Sequence, residues 1–215
     1  MERAALQVGP TIKSISAGGG LPVPYRESDS SIDLEQYFRL WDETRNRLSN
    51  EFRHRVNVEV EPGRYLVAEA GCLVAEVRSV KQMGEHLFFL IDAGFNDLVR
   101  PAMYGAFHPI AVCGADGSPT TDRERVRAIV GGPLCESGDV FTQREGGVVE
   151  TRDLPMCRVG DYVILEKTGA YGFAMGSNYN SKLRPAEVLI EEGRAKLIRR
   201  RETFQGLIRD ELIPE

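Results

Sequence analysis

Several things are scarce in this 215-residue chain, and each scarcity narrows its chemistry. Histidine occurs three times, at His54, His86 and His108, too far apart to suggest a histidine-rich metal site. The four cysteines, Cys72, Cys113, Cys135 and Cys157, show no short metal-type spacing and read as reduced thiols of a cytoplasmic protein. No apolar run approaches the roughly 20 residues of a membrane span. The opening Met1-Glu2-Arg3-Ala4-Ala5 lacks the apolar core of a signal peptide. Positive charge is not in excess: the formal net charge is -5, which argues against a general binder of nucleic acid or of acidic membranes.

What remains is an ordinary globular composition, 42% hydrophobic and 27% charged, enough for one domain or two small ones. The first 70 residues carry the rhythm of a parallel βα layer. Residues 4–8 read as the tail of a helix, and Thr11 to Ser16 alternates as a strand that ends at Gly18-Gly19-Gly20. Asp33 is placed to cap a helix, with Glu35 in its first turn. From there Leu34, Tyr37, Phe38, Leu40, Trp41 and Leu48 recur at helical spacing as far as Phe52. A strand over 56–60 follows, then the turn Glu61-Pro62-Gly63-Arg64 and a short helix.

After Gly71 the pattern changes to short strands separated by polar turns, the mark of an antiparallel sheet or barrel. Strands are expected over 72–81, 86–91, 109–113, 126–131, 147–151, 162–167, 186–190 and 195–199, with a terminal helix from Thr203 to Leu212. The fold class is thus α/β plus all-β, with domains 1–70 and 71–215. Two strand-helix units cannot close a parallel barrel, and their edges would expose backbone donors and acceptors unless another body covers them. The start at Met1 within an apparent helix reads as truncation.

Five stretches carry residue types suited to chemistry. Gly18-Gly19-Gly20 follows a strand, and glycines let backbone amides approach an anion, although a flexible turn needs the same residues. Glu61-Pro62-Gly63-Arg64 presents an acid and an arginine at a strand's carboxyl end, where α/β folds keep ligands. Taken alone it is equally a strand end with a surface ion pair. Gly63 can add a backbone amide, Arg64 can grip a phosphate or carboxylate in two-pronged fashion, and Glu61 can hold a proton on a ring nitrogen. Arg100 and Tyr104 lie four apart, so one helical turn puts them on one face, a pairing that suits a carboxylate or a solvated arginine beside a packing tyrosine. Cys135-Glu136-Ser137-Gly138-Asp139 sets a thiol beside a carboxylate. That is poor for a nucleophile and acceptable for a proton donor, and a buried structural cysteine is the bland alternative. Tyr171, padded by Gly169 and Gly172, can stack on a planar ligand or fill a barrel corner.

Together, in this order, EPGR, DLVRPAMY, GPLCESGD and GAYG resemble the C-terminal half of the diaminopimelate decarboxylase family. These are pyridoxal-phosphate enzymes of the alanine-racemase-like fold, and the resemblance runs from Ser16 to Arg201. It implies the last two units of a (β/α)8 barrel over 1–70, followed by a C-terminal antiparallel β-barrel or sandwich over 71–215, in a head-to-tail homodimer. It also implies that pyridoxal 5'-phosphate is held by Gly20, Glu61, Pro62, Gly63, Arg64 and Tyr171. Substrate would be bound by Arg64, Arg100, Tyr104, Glu136 and Tyr171, with Cys135 as the proton donor reaching into the other subunit. The implied reaction is decarboxylation of meso-2,6-diaminopimelate to L-lysine. The lysine that the family uses for its Schiff base has no counterpart among Lys13, Lys81, Lys167, Lys182 and Lys196. On this reading the 215 residues by themselves are expected to be inactive.

Two alternatives stay open. A sibling decarboxylase acting on ornithine, arginine or a carboxynorspermidine-like substrate would use the same fold. Against it, Arg100 with Tyr104 asks for a distal carboxylate, because a buried cation left unpaired is costly. The other is a non-catalytic, stand-alone β-domain.

Overall fold

The computed structural model describes residues 1–214. The chain divides into two compact units, Met1–Ala70 and Gly71–Glu215.

In the first unit, helix α1 (Glu2–Val8) leads to strand β1 (Ser14–Ser16), helix α2 (Leu34–Phe52), strand β2 (Asn57–Glu59) and the short helix α3 (Gly63–Val67). The start of α2 is set by Asp33, whose carboxylate accepts the backbone N–H of Gln36 over 2.9 Å. Its end is set by Arg53, which turns into the left-handed region at φ 56°. Strands β1 and β2 pair in parallel, with Ile15 opposite Val58. Ala5, Ile15, Leu48 and Val56 form the buried core, closed by Trp41 and Phe52. Ser49 ties helix to strand: its Oγ accepts from Val56 N over 3.0 Å and donates to the Arg45 carbonyl.

The second unit is built on a six-stranded sheet. Its strands are β3 (Leu73–Met83), β4 (His86–Ile91), β5 (Ile110–Cys113), β6 (Arg125–Gly131), β9 (Arg152–Pro155) and β10 (Tyr162–Leu165). Two further strands, β7 (Gln143–Arg144) and β8 (Val148–Val149), make a small ribbon of their own. The sheet order is β5-β10-β3-β4-β6-β9. Its two outer strands, β5 and β9, come back towards each other, so the sheet curls into a nearly closed barrel. Strand β3 serves two partners. Its first half pairs with β10, its second half with β4, and a register shift between Val77 and Ser79 bends it from one to the other. Phe89, Ile91, Val77, Val130, Phe141, Val163 and Leu165 fill the interior. Outside this sheet lie a hairpin of β11 (Glu187–Glu191) and β12 (Arg194–Arg199), and the helix α5 (Phe204–Leu207). Glu192 at φ 50° and Gly193 at φ 73° form the two-residue turn between β11 and β12, matching the twist of its strands.

The second unit departs from the expected antiparallel sheet or barrel at several points. Strands β4 and β6 run parallel, because the long connection between them crosses over instead of turning back. Of the strand expected over 147–151, only Val148–Val149 forms. Strand β9 lies outside the strands expected from the sequence. Its sequence, Arg152-Asp153-Leu154-Pro155, has no apolar alternation and ends in proline, as suits a strand paired only with β6 at the sheet edge. The terminal helix is also shorter than 203–212.

Candidate functional site

In the first unit the parallel pairing runs past the strand ends. Ala17 N donates to the Glu59 carbonyl and Glu61 N to the Gly18 carbonyl, each over 2.8 Å. This lays the loop Gly18–Gly20 beside the turn Glu61–Arg64. Ser16 joins them, accepting Gly18 N over 3.0 Å and donating to Glu61 Oε1 over 3.2 Å. The glycines are needed here. A Cβ on Gly19 would stand 2.7 Å from the Glu61 carbonyl oxygen, and Gly20 sits at φ +85° with open space where a side chain would be. Gly63 also faces open space, but its N–H already donates to the Glu61 carbonyl over 2.9 Å. It therefore offers room instead of the amide that the sequence suggested. The result is a glycine-walled ledge with one carboxylate held at its side and Arg64, half-buried, at its end. A flat ring bearing a phosphate fits these residues, with the carboxylate for a ring nitrogen and bare backbone for the anion.

The second unit holds two clusters. In the first, helix α4 (Arg100–Tyr104) places Arg100 and Tyr104 one turn apart. Arg100 is only 6% exposed, whereas Tyr104 is open to solvent. The Arg100 guanidinium lies 5.8 Å from the centroid of the Tyr171 ring, across 71 positions of chain. Tyr171 itself adopts a left-handed backbone at φ 63°. For a bulky residue that conformation carries strain, and strain of this kind collects at functional sites. Behind Arg100 stands His108, whose Nε2 is 3.0 Å from Arg100 Nη1. In the sequence His108 is one of three dispersed histidines, and nothing in its neighbourhood marks it out.

The second cluster is the loop after β6. Cys135 and Glu136 are both exposed. The Glu136 carboxylate receives Gly138 N over 3.3 Å, Ser137 Oγ over 3.2 Å and Tyr179 Oη over 3.4 Å. The Gly138 N–H first, then the Ser137 hydroxyl, hold it below the usual glutamate range, so it is ionised at neutral pH. Tyr179 in turn packs on Phe95, with ring centroids 4.8 Å apart. Tyr179 is a member of this cluster that the sequence did not single out; its one signal is an aromatic in the glycine- and asparagine-rich run after Tyr171. Among the described residues no group of three or more acidic, thiol or imidazole side chains is placed to hold a metal ion. No helix among them is long and apolar enough to cross a membrane.

Residues 30–169 match the family model described as the pyridoxal-dependent decarboxylase C-terminal sheet domain. The chain is 52% identical over 213 residues to the diaminopimelate decarboxylase of Escherichia coli K12, covering 99% of this chain and 51% of that protein. It is 51% identical over 214 residues to the enzyme of the same name from Streptomyces coelicolor, covering 100% and 48%. A crystal structure of a diaminopimelate decarboxylase superposes with a TM-score of 0.96 at 52% identity, again over 100% of this chain and 51% of the other. The M. jannaschii diaminopimelate decarboxylase solved with L-lysine gives a TM-score of 0.83 at 32% identity, covering 99% and 48%. The chain thus spans about half the length of the curated relatives it matches.

Proposed function

Because this chain belongs to the pyridoxal-dependent decarboxylases, through their C-terminal sheet domain, we propose that the native protein converts meso-2,6-diaminopimelate to L-lysine and carbon dioxide. The observation that carries this reading is the identity of about half the residues with diaminopimelate decarboxylases along the whole chain. Pyridoxal phosphate, when bound, supplies the sink for the electron pair left as carbon dioxide departs. The chain's own residues orient the reactants and deliver a proton.

Residues 1–70 would contribute the last two strand-helix units of a cofactor-binding barrel. There Gly20 and Gly63 give the phosphate room, Pro62 shapes the turn, and Glu61, steadied by Ser16, keeps a proton on the ring nitrogen. Residues 71–215 would supply the rest. Arg100, with Tyr104 and Arg64, takes the distal carboxylate of the substrate, a two-pronged match that ornithine cannot make. Tyr171, beside Arg100, would supply an aromatic face and a hydroxyl to cofactor and substrate. Glu136, ionised, receives the distal ammonium. Cys135 gives up the proton that replaces the lost carboxyl group. The exposure of Cys135 and Glu136 on one loop supports a shared site, in which this loop enters the barrel of a second copy in a head-to-tail homodimer.

Turnover by the purified native protein tests the reading. L-lysine and carbon dioxide should form from meso-diaminopimelate in a reaction that depends on added pyridoxal phosphate, with ornithine a poor substrate. Preferential turnover of ornithine, or of arginine, would replace this assignment with the sibling one.

A further inference from the structure

His108 and Arg100 are both deeply buried, at 2% and 6% exposure. A guanidinium carries donors only. The 3.0 Å contact of Arg100 Nη1 with His108 Nε2 therefore makes Nε2 the acceptor. The ring proton must then sit on Nδ1, and Nδ1 lies 2.9 Å from the backbone carbonyl oxygen of Glu166, which can only accept. One neutral tautomer satisfies both neighbours; the other tautomer satisfies neither, and the imidazolium keeps the Glu166 bond but turns a second donor on Arg100. Burial, reinforced by the Arg100 charge and opposed by the Glu166 carbonyl, pushes the imidazole down to about 4, so the same acceptor persists through the neutral range.

The brace is anchored in the sheet. Glu166 directly follows β10, and its N–H donates to the Pro109 carbonyl over 2.9 Å. His108 returns the link through Nδ1, so the segment ahead of β5 and the end of β10 are stitched together on both sides of the ring. Arginine is long and flexible, and fixing one Nη against a rigid support removes most of its swing. With Tyr171 on the other side, the guanidinium keeps one orientation.

We propose that His108 is a positioning residue: as its Nδ1–H tautomer it holds the Arg100 fork in the attitude that receives a substrate carboxylate in two-pronged fashion. The inference rests on the reading of Arg100 as the ligand of the distal carboxylate, which is the carboxylate that L-lysine retains after the reaction.

The test uses the native protein loaded with pyridoxal phosphate and three variants, His108→Asn, His108→Gln and Arg100→Ala. Affinities for L-lysine and for cadaverine, which lacks the carboxylate, are measured by titration calorimetry, and KM and kcat with meso-diaminopimelate. Asparagine keeps a donor near Nδ1 and loses the acceptor; glutamine keeps an acceptor near Nε2. His108→Asn should weaken L-lysine roughly tenfold and raise KM similarly, with kcat within about threefold and cadaverine affinity unchanged, while His108→Gln should hold most of the L-lysine affinity. If Arg100→Ala weakens L-lysine but His108→Asn leaves both L-lysine affinity and KM at their wild-type values, the positioning role is overturned and the reading of Arg100 stands. If Arg100→Ala leaves L-lysine affinity intact, the reading of Arg100 itself falls. Should either histidine variant fail to fold, nitrogen-15 imidazole shifts of the wild-type protein at pH 7 decide the tautomer. A protonated Nδ1 and bare Nε2 support the proposal, and a protonated Nε2 overturns it.

Discussion

Asp139 Oδ1 accepts the backbone N–H of Phe95 over 2.7 Å, across 44 positions of chain. Its other oxygen accepts Leu134 N over 2.8 Å. The Asp139 carbonyl accepts Gly132 N, and its own N–H donates to Glu136. One buried carboxylate thus folds the loop that presents Cys135 and Glu136 and ties it to the Phe95 segment on which Tyr179 packs. Gly132 makes room for it, since a Cβ there would lie 2.2 Å from the carboxylate.

Asp139→Ala leaves two inward-facing N–H groups without an acceptor. Each is worth about 1–3 kcal/mol when orphaned in the interior, so the variant should lose about 2–6 kcal/mol in denaturant unfolding. Asp139→Asn, which keeps one good acceptor, should lose about half as much. Equal stability of the alanine variant and the parent would refute this account.

Gly105 ends α4 at φ 58°, and a Cβ there would stand 1.8 Å from the backbone nitrogen of Glu145. Neither a rotamer change nor a flexible tip can relieve a backbone clash. The left-handed conformation costs a non-glycine residue about 1–2 kcal/mol and overpacking about 1–3 kcal/mol, so Gly105→Ala should lose about 3 kcal/mol. It should also displace Arg100, whose carbonyl caps the same turn. Thermal unfolding of the variant checks the first expectation and L-lysine affinity the second.

How far all this was readable beforehand depended on whether the signal was local. Helix α2 was legible because Asp33 and the spaced Leu34, Tyr37 and Trp41 state its start and its face within one segment. The second unit announced its strands wherever valine and phenylalanine dominate. It hid β9, whose four residues are held by pairing with β6 and by nothing in their own pattern. The parallel pairing of β4 with β6 was hidden for the same reason. At the site, residue types were legible motif by motif. Their neighbours were not: Ser16 reaches Glu61 across 45 positions and His108 reaches Glu166 across 58. A histidine of no special sequence becomes significant only when the fold sets it behind an arginine.

That histidine has a consequence for stability. Folded His108 titrates near 4, below its ordinary value of 6.5. Between those values the unfolded chain takes up a proton that the folded chain refuses, so stability is full above pH 6.5 and falls as the pH drops through the window. The displacement corresponds to about 3 kcal/mol. His108→Gln removes the group, so denaturant unfolding at pH 7 and pH 4.5 should show a smaller acid loss in the variant than in the parent. Parallel losses in the two proteins would mean that His108 is not buried as a neutral ring.

The four cysteines should separate by reactivity. Cys72 and Cys135 are exposed, Cys113 is half-buried, and Cys157 lies in the core at 1% exposure. Burial, with the nearby Asp161 charge, pushes the Cys157 thiol up to about 12. Only the thiolate attacks a disulfide or maleimide reagent, so Cys157 is protected both by access and by protonation. Under native conditions at pH 7.5, mass spectrometry of peptides should find Cys72 and Cys135 modified first, Cys113 more slowly and Cys157 only after denaturation. Modification of Cys157 at the rate of Cys135 would contradict the packing described above. Saturating L-lysine distinguishes the two exposed thiols. If the loop of Cys135 lines the substrate site, L-lysine should slow its modification at least about tenfold and leave Cys72 unaffected, because a bound ligand withdraws its own site from the reagent in proportion to occupancy. Equal rates at Cys135 with and without L-lysine in a protein that binds L-lysine would remove Cys135 from the site.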